Sequence, residues 1–395
     1  MDVPIICFRD APAPALRVGS AGRDMTVLYL CRESDLDHKE PGLFARAFRR
    51  CGFNLVCPGD KFPVNGSIQD LLGQCQEPPK MIVLVESAHA LLPNGLETVN
   101  IPTITFQSDT YAYTRHRIRW SMLFDYAVVF HPGFETVFRN AGHPRVIGWS
   151  HAADPELFSR QHEQRTFEVG WVGRTDGPLY EDRRAVLQNL LQHFRMNDCT
   201  RFHTPEELAS VYCRSKIIVN VARDDYPQDA NMRVFEAMAS GALLITHVPS
   251  ELTSIGFGEN IHFVGYRRPS EVVELVRKFL NDESTRKRIA ESARDKVLRE
   301  HTYDIRVESL MRTVESDSGQ LFAPARTWSR ERVQLTQIDY YVASSCLEPA
   351  YESLRVVGSK SLVGALLGAS QISRAQASKC YSRLRTERIQ PQDRP

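Results

Sequence analysis

Asp224–Thr246 reads DDYPQDANMRVFEAMASGALLIT, and its reading decides the fold. Pro227, Asp229 and Asn231 are turn and cap residues that open a helix. Met232, Phe235, Met238 and Ala239 then recur at helical spacing and predict a buried stripe. Gly241 suits the left-handed position that stops a helix. Ala242–Thr246 is short, apolar and β-compatible, as a buried parallel strand should be. A loop, a helix and a parallel strand in quick succession are one unit of a doubly wound α/β sheet.

Working outward, the same alternation extends in both directions. Upstream, Lys216–Val221, Phe167–Val172, Val146–Trp149, Tyr126–Phe130, Pro102–Phe106, Met81–Val85, Asn54–Cys57 and Val27–Cys31 read as strands. Helical stretches separate most of them, including LFARAFRRCG after Gly42 and DRRAVLQNLLQHF from Asp182. Downstream, Ile261–Val264 reads as one more strand, followed by amphipathic helices over Pro269–Leu280 and Glu283–Glu300. Ligands of such sheets bind beyond the carboxyl ends of the strands. Asp109 follows one strand and is placed to orient or deprotonate a hydroxyl; His131 follows another. Ordinary turn chemistry would explain both positions equally well. Gly173 and Arg174 end the FEVGWVGR strand, where glycine permits close approach and a guanidinium suits phosphate. Tyr226 also sits on a carboxyl-end rim. Glu236 reads either as a solvated partner of Arg233 or as a carboxylate holding a ligand hydroxyl pair near a helix start.

NMRVFEAMASGALLIT together with VGWVGR resembles the donor domain of GT-B glycosyltransferases, of the "glycosyl transferases group 1" type and its spore-maturation-protein (CgeB-like) branch. The resemblance covers roughly residues 26–313. It implies an α/β fold of two Rossmann-like domains facing across a cleft. It implies that Glu236 grips the ribose of a nucleotide sugar, and that Arg174 and Arg233 contact the diphosphate. Asn231, Met232 and Arg233 would meet it at the helix start. The implied reaction is sugar transfer from a UDP- or GDP-type donor to an acceptor. No cofactor is implied beyond the nucleotide sugar as co-substrate. Many retaining members carry E-x7-E; here Gln228 stands at the first position. An amide hydrogen-bonds a sugar without lending charge. Retention is the family expectation. A nucleotide-sugar epimerase and a non-catalytic sugar-nucleotide-binding or scaffold protein stay open as alternatives.

This reading divides the chain into an N-terminal arm (1–25), an acceptor domain (26–155), a donor domain (156–313) and a C-terminal extension (314–395). His151–Phe158 resembles the family's hinge. The extension is expected to be helical with a loose end. It contains the apolar LVGALLGA at 362–369, and an interaction or homo-oligomer role is open to it. The 395 residues are 42% hydrophobic with a formal net charge of +1, so no global field favours nucleic acid or an anionic membrane. No apolar run approaches the ~20 residues needed to span a bilayer. Nine scattered cysteines without a C-x-x-C pair fit a reducing cytoplasm and no zinc site. No phosphate-loop, H-E-x-x-H or D-x-D run occurs. A metal is therefore not expected. Tyr111–Trp120 is basic and aromatic, and reads as a surface helix beside the cleft.

Overall fold

The computed structural model describes residues 25–36, 39–63, 66–86, 91–158 and 164–343, with 350, 351, 354, 369, 370, 372 and 373. The N-terminal arm to residue 24, residues 362–368 of the apolar stretch and the end of the chain lie outside them.

The first sheet holds β1 (Met25–Tyr29), β2 (Phe53–Val56), β3 (Met81–Val85), β4 (Thr103–Gln107), β5 (Tyr126–Phe130) and β6 (Val146–Trp149). They run in the order β2-β1-β3-β4-β5-β6, all parallel. Alternate residues separate onto two faces, as the period of a strand requires. Val27, Tyr29, Val83 and Val128 pack under α1 (Lys39–Arg50). Leu28, Ile82 and Leu84 face α2 (Ile68–Leu72) and α3 (Thr114–Ser121) on the other side. Helix α4 (Phe134–Asn140) covers Ala127 and Val129.

The second sheet holds β7 (Phe167–Gly170), β8 (Ser215–Val219), β9 (Leu243–His247) and β10 (Val264–Tyr266), in the order β10-β9-β8-β7 and again all parallel. One face packs on α5 (Glu181–His193) and α8 (Val272–Asn281). The other packs on α6 (Pro205–Cys213), α7 (Met232–Ala239) and α9 (Glu283–Glu300). The last strand begins where the sequence reading ended it. Asn260 is left-handed (φ 63°), and its N–H donates to the Phe263 carbonyl at 2.7 Å, so Ile261 is spent on a turn and is exposed.

Helix α1 starts three residues before Gly42 rather than after it. A Cβ at position 42 would collide with the Leu36 carbonyl, so glycine there admits the preceding loop against the helix.

The chain passes between the lobes twice, and the two passages are stitched together. Ala153 N–H donates to the His301 carbonyl (3.0 Å), and Tyr303 N–H to the Ala153 carbonyl (3.2 Å). Arg306 donates to Ser150 Oγ (2.7 Å) and to His301 Nδ1 (2.9 Å). Arg50 of α1 reaches Asp304 (2.9 Å) and Asp154 (3.1 Å). Beyond the second passage, α10 (Tyr303–Ser316) puts Tyr303, Val307, Leu310 and Met311 into the core under the first sheet.

The segment after α10 stays with the first lobe. Asp125, fully buried at the start of β5, accepts from Thr103 N–H (2.9 Å) and Thr103 Oγ1 (2.8 Å) on β4, and from Phe322 and Ala323 N–H (2.6 and 2.8 Å). Arg326 adds Nε and Nη2 at 3.0 and 2.7 Å. Helix α11 (Arg330–Ala343) then lies across α3. Trp120 packs on Tyr340 (4.8 Å), so α3 has a buried face as well as a basic one. Among the described residues no helix is long and apolar enough to cross a membrane.

Candidate functional site

Two groups of side chains meet at the carboxyl ends of the two sheets. The first belongs to the second lobe and is cationic. Arg233, in the first turn of α7, donates Nε to the Val172 carbonyl (3.0 Å) and Nη1 to Asn220 Oδ1 (2.8 Å). Arg183, in the first turn of α5, donates Nε to the Val221 carbonyl (2.8 Å) and Nη1 to the Arg174 carbonyl (2.6 Å). Both guanidiniums lie by the buried Trp171 ring, at 5.3 and 5.7 Å, and Arg183 also covers Tyr180 at 4.3 Å. Neither has a carboxylate within ion-pair distance among the described residues. Arg183 is only 4% exposed. Burial, then the nearby Arg233 charge, pulls its pKa down to about 9.

Gly173 lies directly against this pair. Its φ is +156°, and a Cβ there would sit 2.5 Å from Arg233 Nη2. Asn231 is the N-cap of α7, but its side chain does not cap the helix. Its Nδ2 donates to Asp229 Oδ2 (3.2 Å) and Asn220 Oδ1 (3.3 Å), and its Oδ1 is buried without a partner. Met232 is half-buried and packs on the first lobe's core. Arg174 stands apart. Its side chain is 70% exposed and pairs with Asp176 at 3.2 Å.

The second group joins the lobes. His131, after β5, is 3% exposed and has φ 77°, a left-handed conformation rare for a residue before proline. Strain of this kind collects at functional positions. Its Nδ1 lies 2.9 Å from Glu251 Oε2 and 3.6 Å from Asp229 Oδ1, both in the second lobe. Glu251 also accepts from Tyr226 Oη (2.6 Å) and from Ala230 N–H (3.0 Å). Tyr226 stacks on Tyr111 of the first lobe, with ring centroids 4.2 Å apart and 10° between planes. Arg223 lies over the same Tyr111 ring at 5.3 Å. Asp109 is exposed beside this group.

The charges explain the arrangement. Burial works against protonating His131, but Glu251 and Asp229 outweigh it and raise its pKa. Burial likewise opposes ionisation of Glu251, yet His131 and the other donors hold its carboxyl below the usual range. Asp229 rises to about 6, from burial first and the acidic neighbours Asp109 and Glu251 after it. The His131, Asp229 and Glu251 ligand atoms lie within 4.8 Å of one another, a spacing a cation would accept. Glu251 Oε2 and Asp229 Oδ2 already accept protein hydrogen bonds. His131 bridges the two carboxylates, hydrogen-bonded to Glu251 and at longer range to Asp229.

Glu236 is not a solvated partner of Arg233. It is 2% exposed within α7, and Tyr212 and Tyr303 both feel its charge. It therefore lies where the second lobe meets the returning chain. Sequence reasoning gave Arg183 and Glu251 no role in the site and read Tyr111 only as the start of a surface helix beside the cleft. Arg183 and Arg184 are adjacent on one helix, and only the fold shows that the first turns inward. Glu251 sits in a segment read as a plain loop, which forms a 3-10 turn over Glu251–Ile255. A separate groove of about 820 Å³ lies away from these groups, between Ser67, Asn94 and Glu97 of the first lobe and Trp328, Arg330 and Gln334.

Residues 160–312 match a family model described as glycosyl transferase-like. No curated protein matches the chain. Among solved structures, Anabaena Alr3699/HepE in complex with UDP-glucose aligns with 74% of this chain and all of its own, at 11% identity and a TM-score of 0.50. The UDP-forming α,α-trehalose-phosphate synthase of Burkholderia vietnamiensis aligns with 78% of this chain and all of its own, at 10% identity and a TM-score of 0.50. The fold is GT-B: two parallel α/β sheets facing each other, each covered by helices. The matched segment is the second lobe, which carries the arginine pair.

Proposed function

We propose that the protein is a glycosyltransferase that moves a sugar from a UDP- or GDP-type donor to an acceptor hydroxyl, in the manner of the CgeB-like branch. The observation that carries this is the Arg183–Arg233 pair. Two inward guanidiniums, Arg183 at the start of α5 and Arg233 at the start of α7 beside Gly173, have no carboxylate within ion-pair distance among the described residues, and a diphosphate would neutralise them. Charge grows on the leaving diphosphate as the glycosidic bond breaks, and fixed cations stabilise it without reorganising. These cations support a metal-independent route. Arg174, on the rim, would extend the same field to the outer phosphate.

Glu236 would hold the ribose, and Asn231 would add a hydrogen bond through its unpartnered Oδ1. Glu236 is buried in the closed arrangement, so the donor would enter when the lobes part. Asp109, at the first lobe's edge, would orient the acceptor. Gln228 offers its amide where E-x7-E members carry a charge. Family resemblance favours retention of configuration, which the anomeric NMR signal of the product would decide.

Isothermal titration of the full chain with UDP and GDP tests the core of this reading. One of the two should bind, and Arg233→Ala should weaken that binding by about 10- to 100-fold. Absence of binding by both nucleotides would sink the proposal. A donor panel with mass-spectrometric detection then identifies the sugar.

A further inference from the structure

We propose that Glu251 of the second lobe is a positioning residue for His131 of the first, so that His131 presents its free Nε2–H to the substrate only when the lobes are closed. The inference rests on the glycosyltransferase reading for the identity of the substrate, but its contact can be tested without it.

The geometry is specific. Glu251 uses both oxygens within its own lobe, taking Tyr226 Oη on one and Ala230 N–H on the other. That fixes the carboxylate before His131 arrives. The second oxygen then receives His131 Nδ1 across the cleft at 2.9 Å. A carboxylate acceptor requires a proton on Nδ1. The opposite ring nitrogen, Nε2, is buried and has no hydrogen-bond partner. His131 is meanwhile held in a left-handed backbone conformation. An oriented ring, a strained backbone and an unpaired buried nitrogen are what a substrate-facing group needs.

The groups facing His131 are Glu251 and Asp229 from the second lobe, and Asp109 and His151 from the first. The rings of Tyr111 and Tyr226 close the sides. Carboxylates predominate, so His131 acts as an imidazolium that donates Nε2–H to a substrate oxygen. Opening the lobes separates Glu251 from His131 and removes both the orientation and the charge. Competence for transfer is thereby tied to closure.

The test uses the full chain and Glu251→Gln. Histidine-ring NMR should show His131 titrating above the ordinary imidazole range in the wild type and falling toward it in the variant. Affinity for UDP or GDP should stay within about two-fold, because the arginine pair does not touch Glu251. Hydrolysis of UDP-glucose or GDP-mannose, whichever nucleotide binds, should lose about 10- to 100-fold in kcat with KM little changed. Its alkaline limb should move to lower pH. If Glu251→Gln fails to fold, Tyr226→Phe removes one donor to the same carboxylate and should lower kcat by about three-fold or more.

A wild-type kcat and pH profile in the folded variant overturns the proposal. Loss of wild-type activity with a chelator, restored by a divalent ion, also overturns it, since a metal would then occupy the cluster. If neither nucleotide binds the wild type, the glycosyltransferase reading falls and ring titration alone decides the contact. Unchanged ring shifts in Glu251→Gln would refute it.

Discussion

Replacing Arg183 by methionine separates the cost of the anion site from its use. In the unliganded protein Arg183 is a buried cation pressed beside a second one. Burial and the Arg233 charge pull its pKa down from the ordinary guanidinium range to about 9. At about 1.4 kcal/mol per unit, the charge costs the folded state on the order of 5 kcal/mol. Against this stand two charged hydrogen bonds, to the Val221 and Arg174 carbonyls, at about 1.5–3 kcal/mol each. The two sides nearly cancel. Arg183→Met should therefore change the unfolding free energy by no more than about 2 kcal/mol in either direction. Urea denaturation with a constant m-value measures this.

Nucleotide binding should behave differently, because a diphosphate would give Arg183 the ion-pair partner it lacks among the described residues. Loss of one charge-assisted contact should weaken UDP or GDP binding by about 10- to 150-fold, read by calorimetry at fixed salt. Arg184→Met is the control. Arg184 is one position along and donates to the Thr175 and Gly177 carbonyls instead. It should leave the nucleotide affinity unchanged. A loss of more than about 3 kcal/mol of stability in Arg183→Met, with nucleotide affinity intact, would make Arg183 an ordinary structural arginine and refute the reasoning.

Two further expectations concern stability. Asp125→Ala leaves Arg326 without its carboxylate and strands the N–H groups of Thr103, Phe322 and Ala323, so it should cost about 3–5 kcal/mol and expose the segment after α10 to proteolysis. A loss below about 1 kcal/mol would show that this segment docks by other means. Burial depresses the pKa of His301 to about 2, helped by Arg306 and Lys296. The unfolded chain takes up that proton below about pH 6.5 and the folded one does not, so stability is lost as pH falls. The loss between pH 7 and pH 5 should be about 2 kcal/mol smaller in His301→Gln than in the wild type, and an equal loss would remove His301 as a cause.

Much of the fold was legible because each strand is a short apolar run beside a helical period. The Asp224–Thr246 unit predicted a loop, helix α7 and strand β9 in the order found. The failures are local competitions. Ile261 looks like the start of a strand, but the left-handed Asn260 and its bond to Phe263 take that segment into a turn. The site was less legible than the fold. Gly173, Arg233 and Asn231 were within reach because a strand end and a helix start are visible in sequence. The His131–Glu251 contact joins residues 120 positions apart in opposite lobes, which no local pattern encodes. Arg183 differs from Arg184 only in the side of the helix it takes, and packing on Trp171 and Tyr180 decides that.

The path of the chain through the first lobe also bears on how it is made. Its core is finished by α10 and α11, which are synthesised after the whole of the second sheet and its helices. A nascent chain emerging from the ribosome would thus complete the second lobe first. The earlier-made half would wait, with the face of α1 that receives Leu310 and Met311 still bare. A stop codon placed just after α9 would spare every strand and still leave the amino-terminal half unable to close. Nonsense mutations late in the gene should therefore be as damaging as early ones.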